Sequence, residues 1–478
     1  MKSVLQYKDS QSFSVRRIEL LVCLLAAIAI AAGANRGIAQ PSQSARSVPT
    51  QDGDGSAYAT TVAYVEHFYP LWFTYNQSRL NNLAGTSNRM AGPVKMSPIC
   101  SFVVASNDDT LYASAFLHLR AEPVILTIPA TRVTYSILIV DAYGNIMPEV
   151  IPPETPGVYA LTGPGFSGKL PQGVTPVSLP VNFSVVFFRA DKFSSTGEDQ
   201  SAQASAFRES LKSQPLSGYV SDPGGGSARI VSDLLLAPPF KTTADLLIQH
   251  SPILFLGQLQ KAVAAPNTPP LSPSEQAVST RFNALLNDPR TPRSEFRAGA
   301  RKAHQLILDN YLTHTGPTNW IHFTNIGEWG DNVLDRAATT EFLQFSNGIG
   351  TAAYYHAFRD KAGRPLDGSE QKGYTLTFPA GALPKAKRFW SLTAYTPETI
   401  ELVPNRAHKY VVASYTPGLK YDDDGSVTIF MTRRVPTGVP TANWLPTPNG
   451  PFNIVLRVYG PEGDVANNTY LPPSIQKD

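Results

Sequence analysis

The run Tyr135-Ser136-Ile137-Leu138-Ile139-Val140 decides the fold, together with its neighbours Val124-Ile125-Leu126-Thr127-Ile128 and Val185-Val186-Phe187-Phe188. All three are short β-branched or aromatic runs, which fit a pleated, half-buried strand better than a helix. Phe102-Val103-Val104 reads as a further strand of the same set. Pro123, Pro129, Gly144, Pro152-Pro153 and Gly163-Pro164-Gly165 break the runs at turn positions. Strands at this spacing predict a sandwich or barrel over about 99–188 and argue against alternating βαβ units.

Upstream, Val62, Val65, Phe68, Leu71 and Trp72 recur at three- and four-residue spacing, so a helix begins near Tyr58, with Asn76 near its end. Downstream, 196–230 is polar, with a short helix expected at Ser205–Lys212. Gly224-Gly225-Gly226 reads as a turn, because no Gly-Lys-Ser/Thr follows to make it a phosphate loop. Residues 230–348 read as helical in pieces. One begins with Ile230, Leu234 and Leu235. Ala244–Ala264 is interrupted or started by Pro252, and Ser274–Asn287 follows the start signal Ser272-Pro273. Ser294–Tyr311 and Asp331–Phe345 complete the set. Strand pattern returns near Ala352 in Gly373–Phe378, Phe389-Trp390-Ser391-Leu392-Thr393-Ala394-Tyr395, Tyr410–Val412, Val427–Met431 and Phe452–Tyr459. Two β regions flanking a helical middle make an α+β, mainly β chain.

The length of 478 residues predicts two to four domains. Charged residues are 16%, with 41 Pro and 34 Gly. That balance argues for many loops and strands, and against a coiled coil, a helical bundle or a disordered acidic chain. The net charge of +3 comes from the first 39 residues, which hold five basic and two acidic side chains of the 40 and 37 in the whole chain. The remainder is neutral, so no electrostatic footprint for nucleic acid is present. Leu20 to Gly33 is an uncharged run behind Arg16-Arg17, followed by Gly37-Ile38-Ala39 before Gln40. This pattern predicts a secretory signal peptide over 1–39, cleaved before Gln40, and a periplasmic or extracellular protein. The membrane is then met only through that segment, if it stays uncleaved. Residues 40–56 read as a flexible linker. Of two cysteines, Cys23 leaves with the signal, and Cys100 reads as a buried small hydrophobe.

No nucleophile elbow, His-Glu-x-x-His, Cys-x-x-Cys or dinucleotide fingerprint occurs. The eight His, at 67, 118, 250, 304, 314, 322, 356 and 408, show no i, i+4 pair. No metal site and no cofactor are expected. Asp422-Asp423-Asp424-Gly425-Ser426 reads as a solvated hairpin turn, since the alternating carboxylates of a calcium loop are missing. The most unusual cluster is Ser106-Asn107-Asp108-Asp109-Thr110-Leu111-Tyr112. One reading is structural: Asn and Asp side chains cap backbone amides at a strand junction, and Tyr112 fills core. The other is a pocket floor with Asp109 as general acid or base, Asn107 and Arg189 positioning, Tyr112 catalytic and Thr110 binding substrate. Trp390 and Tyr395 are core aromatics by default; at a domain-junction pocket they would be substrate-binding walls.

These residues resemble known families. Asn107, Asp109, Thr110 and Tyr112 match the Pro-Asn-x-Asp-Thr-x-Tyr pattern of domain-of-unknown-function family 1254, with Ser106 in place of the Pro, and Pro123–Pro129, Tyr135, Asp141 and Tyr69-Pro70-Leu71 extend the match. The second half resembles family 1214, through Gly373–Pro379, Phe389–Thr393, Leu402-Val403-Pro404-Asn405, Asn443-Trp444-Leu445-Pro446 and Leu456-Arg457-Val458-Tyr459. The resemblance implies a bacterial, often exported protein, with an N-terminal β-sandwich over 57–195, a helical middle over 196–348 and a jelly-roll-like domain over 349–478. It carries no reaction. Two function classes follow. One is an exported enzyme, with hydrolysis as the candidate reaction, on a small or oligomeric organic substrate. The other is a non-catalytic envelope ligand-binding or assembly protein. The partners expected are a small-molecule ligand and, for an assembly role, further copies of the chain.

Overall fold

The structure, a computed structural model, describes residues 55–94, 102–147, 151–231, 240–266, 268–369 and 372–478. The signal segment, most of the linker, Cys100, Leu234 and Leu235 lie outside the described residues. Chain order begins with helix α1 (Ala57–Leu83), then strands β1 (Ala91–Pro93), β2 (Thr110–His118), β3 (Val124–Ile128), β4 (Tyr135–Val140), β5 (Gly157–Thr162), β6 (Thr175–Ser178) and β7 (Phe183–Asp191). Helix α2 (Ser201–Ser210), β8 (Lys212–Pro215), α3 (Leu216–Ser221) and β9 (Arg229–Val231) follow. The helices α4 (Phe240–His250), α5 (Pro252–Val263), α6 (Pro273–Asn287) and α7 (Arg293–Leu312) come next, then β10 (Trp320–Ile321) and α8 (Val333–Leu343). The last third holds β11 (Ala352–Ala357), β12 (Tyr374–Phe378), β13 (Ala386–Tyr395), β14 (Val411–Ala413), β15 (Val427–Thr432), β16 (Trp444–Pro446), β17 (Asn453–Pro461), α9 (Gly463–Ala466) and β18 (Gln476–Lys477). The chain is α+β.

The strands form two sandwiches. In the first, a five-stranded sheet ordered β4-β7-β2-β1-β9 faces a four-stranded sheet ordered β6-β5-β3-β8. Ala113, Ala115 and Leu117 of β2, and Val186, Phe188 and Ala190 of β7, fill the space between them. In the second, β10-β11-β17-β13-β14 faces β16-β15-β12-β18 around Leu392, Leu456, Val458 and Ile429. Most neighbours are antiparallel; β1–β9, β5–β6 and β15–β16 are parallel.

Side chains alternate along a strand, so each inner sheet has a second face. Phe183, Val185 and Phe187 of the first, with Tyr354, Phe389, Tyr395, Val455 and Tyr459 of the second, join Tyr64, Phe68, Tyr69 and Trp72 of α1 in one common core. Helices α4 to α8 complete that core. Gly299 of α7 lets two helices approach: a Cβ there would stand 2.7 Å from the Tyr58 carbonyl and from Thr61 of α1.

Helix α6 starts as its sequence predicts, with the Ser272 hydroxyl accepting from Glu275 N and the Glu275 carboxylate accepting from Ser272 N. Pro252 opens α5 at its first turn. Three local readings change. Helix α1 runs through Pro70 and past Asn76, whose Nδ2 donates to the Trp72 carbonyl (2.7 Å) within the helix. Ile230 lies in strand β9, paired with Gly92, not at a helix start. Phe102-Val103-Val104 is no strand; it is an irregular segment that lines a cavity.

Candidate functional site

Each inner sheet presents a row of residues to the junction. On β7, Phe187, Arg189 and Asp191 share a face; on β2, Tyr112 and Ser114 do. Register pairs Tyr112 with Arg189. The Arg189 guanidinium lies over the Tyr112 ring at 5.4 Å and over Phe187 at 5.2 Å. On β17, Arg457 stands between Ser391 of β13 and Tyr354 of β11.

These rows line a cavity with an open mouth. Its walls are mainly apolar, from Phe102, Val104, Phe187, Leu343 and Phe345, and its polar lining includes Asn107, Tyr112, Arg189, Tyr354 and Arg457. Arg189 Nη1 donates to Asn347 Oδ1 (2.8 Å) and Nη2 to the Phe345 carbonyl (2.8 Å). Asn347 in turn donates from its backbone N and Nδ2 to the Tyr354 hydroxyl, both at 3.0 Å. Arg457 Nη1 donates to the Tyr395 hydroxyl (2.8 Å) and Nη2 to the Ala105 carbonyl. Ala105 and Phe345 both have left-handed backbone, φ 51° and 60°. For residues with a Cβ that conformation costs about 1–2 kcal/mol each. Both carbonyls that hold the arginines are therefore set by strained backbone.

The Asn/Asp turn lies beside this cavity. Asn107 Oδ1 accepts from the backbone N–H of Asp109 and Thr110, each at 3.2 Å, and from the Thr110 hydroxyl (3.1 Å), while its Nδ2 donates to the Tyr459 hydroxyl (2.6 Å). Asp109 is fully buried and does not line the cavity. Its Oδ2 accepts from Ser391 Oγ (2.7 Å) and its Oδ1 from the Tyr415 hydroxyl (2.5 Å). Burial pushes its pKa up, while the Tyr415 and Ser391 hydroxyls and the Arg457 charge pull it down. The capping role expected of Asn107 is present, and Asp109 acts as a fastener between the sandwiches. A second fastener joins Asp191 to Arg388 through two hydrogen bonds.

Of the residues read from sequence, the structure brings Asn107, Tyr112 and Arg189 to the cavity. Thr110 is buried in the turn, and the Tyr395 ring lies behind Arg457, its hydroxyl donating to the Ser106 carbonyl (2.8 Å). Trp390 does not belong here. It is the even-numbered neighbour of Ser391 on β13, so it points into the second sandwich and packs on Phe378, with ring centroids 5.5 Å apart. Sequence reasoning gave no site role to Asn347, Tyr354 or Arg457. Arg457 did leave a signal, a charge inside Ile454-Val455-Leu456-Arg457-Val458-Tyr459.

A second polar cluster sits among the helices. Ligand-type atoms of Asp245 (α4), His304 (α7) and Glu341 (α8) lie within 4.8 Å of one another. Lys241 Nζ stands 2.5 Å from Glu341 Oε1 and 2.8 Å from Asp245 Oδ2, and Tyr69 donates to the other Glu341 oxygen. Burial works against the His304 charge, but the Asp245 and Glu341 carboxylates, 3.2 and 3.8 Å from Nε2, outweigh it and lift the imidazole to about 9. Two cations thus face two carboxylates. The donor set does not suit a metal ion, because the ammonium of Lys241 already fills the space between the carboxylates. The sequence hides this group: its members come from three separate helices with no motif spacing.

The geometry defines a class: a two-sandwich α+β protein with a cavity at the junction. The family model "Protein of unknown function (DUF1254)" matches residues 87–215 and "Protein of unknown function (DUF1214)" matches 351–463, so the chain carries both domains in that order. Both contribute to the cavity, which takes Arg189 from the first and Arg457 from the second. No curated protein matches. Among solved structures, the VPA0106 protein from Vibrio parahaemolyticus is 19% identical, with a TM-score of 0.55 over 88% of this chain and 99% of its own. It shares the fold. A protein from Burkholderia cenocepacia described as uncharacterized is 14% identical, with a TM-score of 0.41 over 88% of this chain and 93% of its own.

Proposed function

We propose that the chain is an exported binding protein that holds a small, largely apolar organic molecule in the junction cavity. One observation carries this reading: the cavity is walled by apolar side chains with a few convergent polar groups, the usual make-up of a ligand pocket. Binding is favoured over hydrolysis because both Asp109 oxygens are engaged by hydroxyls and the residue stands off the cavity wall. Ser114 of β2 lines the cavity and is half-buried, so Ser114→Phe should fill it. The expected outcome is at least a tenfold loss of binding of the neutral apolar dye Nile red, with an unchanged circular dichroism spectrum. Equal dye binding by the folded variant refutes the reading.

Export is supported by Leu20–Gly33 behind Arg16-Arg17. Among the described residues no helix is long and apolar enough to cross a membrane. N-terminal sequencing of the secreted chain should begin at Gln40, and a chain retained in the cytoplasm with Met1 intact refutes export.

A further inference from the structure

We propose that the ligand of this cavity is an apolar monocarboxylate whose anionic end seats between Arg189 and Arg457. The inference rests on the pocket reading above and names the chemistry of its occupant. Both side chains are buried, 5% and 2% exposed, and both line the one cavity from opposite sandwiches. Lys241 is buried against Glu341 and Asp245, and Arg336 against Glu275, while buried Arg208 donates to the Pro93 and Val94 carbonyls. Arg189 and Arg457 form no ion pair among the described residues. Their hydrogen bonds go to an amide oxygen, two carbonyls and a phenol, all neutral. A guanidinium has five N–H donors in a planar fork, so each keeps donors beyond the two it uses here.

Asp109 acts on Arg457 without forming an ion pair with it, so a bound anion beside both guanidiniums would still relieve buried positive charge. The planar fork matches a carboxylate, and the apolar walls suit one negative charge on a hydrocarbon body rather than a polyanion. The site is also pre-shaped. The left-handed Ala105 and Phe345 carbonyls fix both guanidiniums, and Asn347 links Arg189 to Tyr354, the cross-strand neighbour of Arg457. Little reordering is then needed on binding.

The test is calorimetric titration of the full chain with octanoate, 1-octanol and octylammonium. Octanoate should bind at least tenfold more tightly than 1-octanol, and octylammonium most weakly. Arg189→Met should lower octanoate affinity at least tenfold and so erase its preference over 1-octanol. If 1-octanol binds wild type as tightly as octanoate, the carboxylate is refuted and the pocket stands. If none of the three binds, the pocket reading falls with it. The wild-type comparison decides even if Arg189→Met fails to fold.

Discussion

At the scale of single residues, Asp109 shows how a polar side chain can hold two halves of a protein together. It belongs to the first domain, yet its two acceptors are filled by Ser391 and Tyr415 of the second. A carboxyl whose pKa is higher folded than unfolded weakens the fold as pH rises from its unfolded value through the folded one. Tyr415 supplies the largest opposing pull, so its hydroxyl is most needed when the carboxyl is ionised. Tyr415→Phe should therefore cost about 1–3 kcal/mol at pH 8, from the lost bond to a buried charge. The cost should shrink at acid pH, where the variant's carboxyl, pushed further up, takes a proton. Urea denaturation at the two pH values reads this directly, and an equal loss at both would contradict it.

At the scale of elements, the strands of strict alternation were legible, because a run such as Phe389–Tyr395 meets a different core on each face. The same alternation decides between Ser391, which reaches Asp109, and Trp390, which does not. What the sequence hides is the product of tertiary contact. Phe102-Val103-Val104 has strand composition but no partner strand; Ala105 turns it with a left-handed φ of 51° so that it lines the cavity. Lys212–Pro215 lies in a polar stretch and Ile230 reads as a helix start, yet Lys212–Pro215 and Arg229–Val231 complete sheet edges, beside β3 and β1. Gly92 of β1 permits one such edge: a Cβ there would collide with the Tyr112 carbonyl. Half the candidate site was visible, since Asn107, Tyr112 and Arg189 lie on or beside strands of the first β region, β2 and β7, which pair with each other. The other half, Asn347, Tyr354 and Arg457, belongs to a different sandwich, and only folding places it opposite.

At the scale of the molecule, the two sandwiches are not independent bodies that touch. The faces of β11, β13 and β17 that carry Tyr354, Phe389, Tyr395, Arg457 and Tyr459 are covered by α1, the helices of the middle, the first inner sheet and the Ala105–Asn107 turn. Residues 349–478 expressed alone should expose that face and show no sharp near-ultraviolet dichroism transition on heating, whereas the whole chain should melt once. A fragment that melts as sharply as the whole chain would show that the shared core is dispensable. The central position of β17 in its sheet also bears on how the protein is made. Asn107 waits for Tyr459, 352 residues later in synthesis, to accept its hydrogen bond. The apolar stripe of α1 packs mainly on α5 to α8, so it stays uncovered until residues 252–343 are made, and the core beside it closes only when β17 follows. Contacts of such range close slowly. Until they close, the chain carries uncovered apolar surface, and its yield is set by how long that surface stays exposed during synthesis.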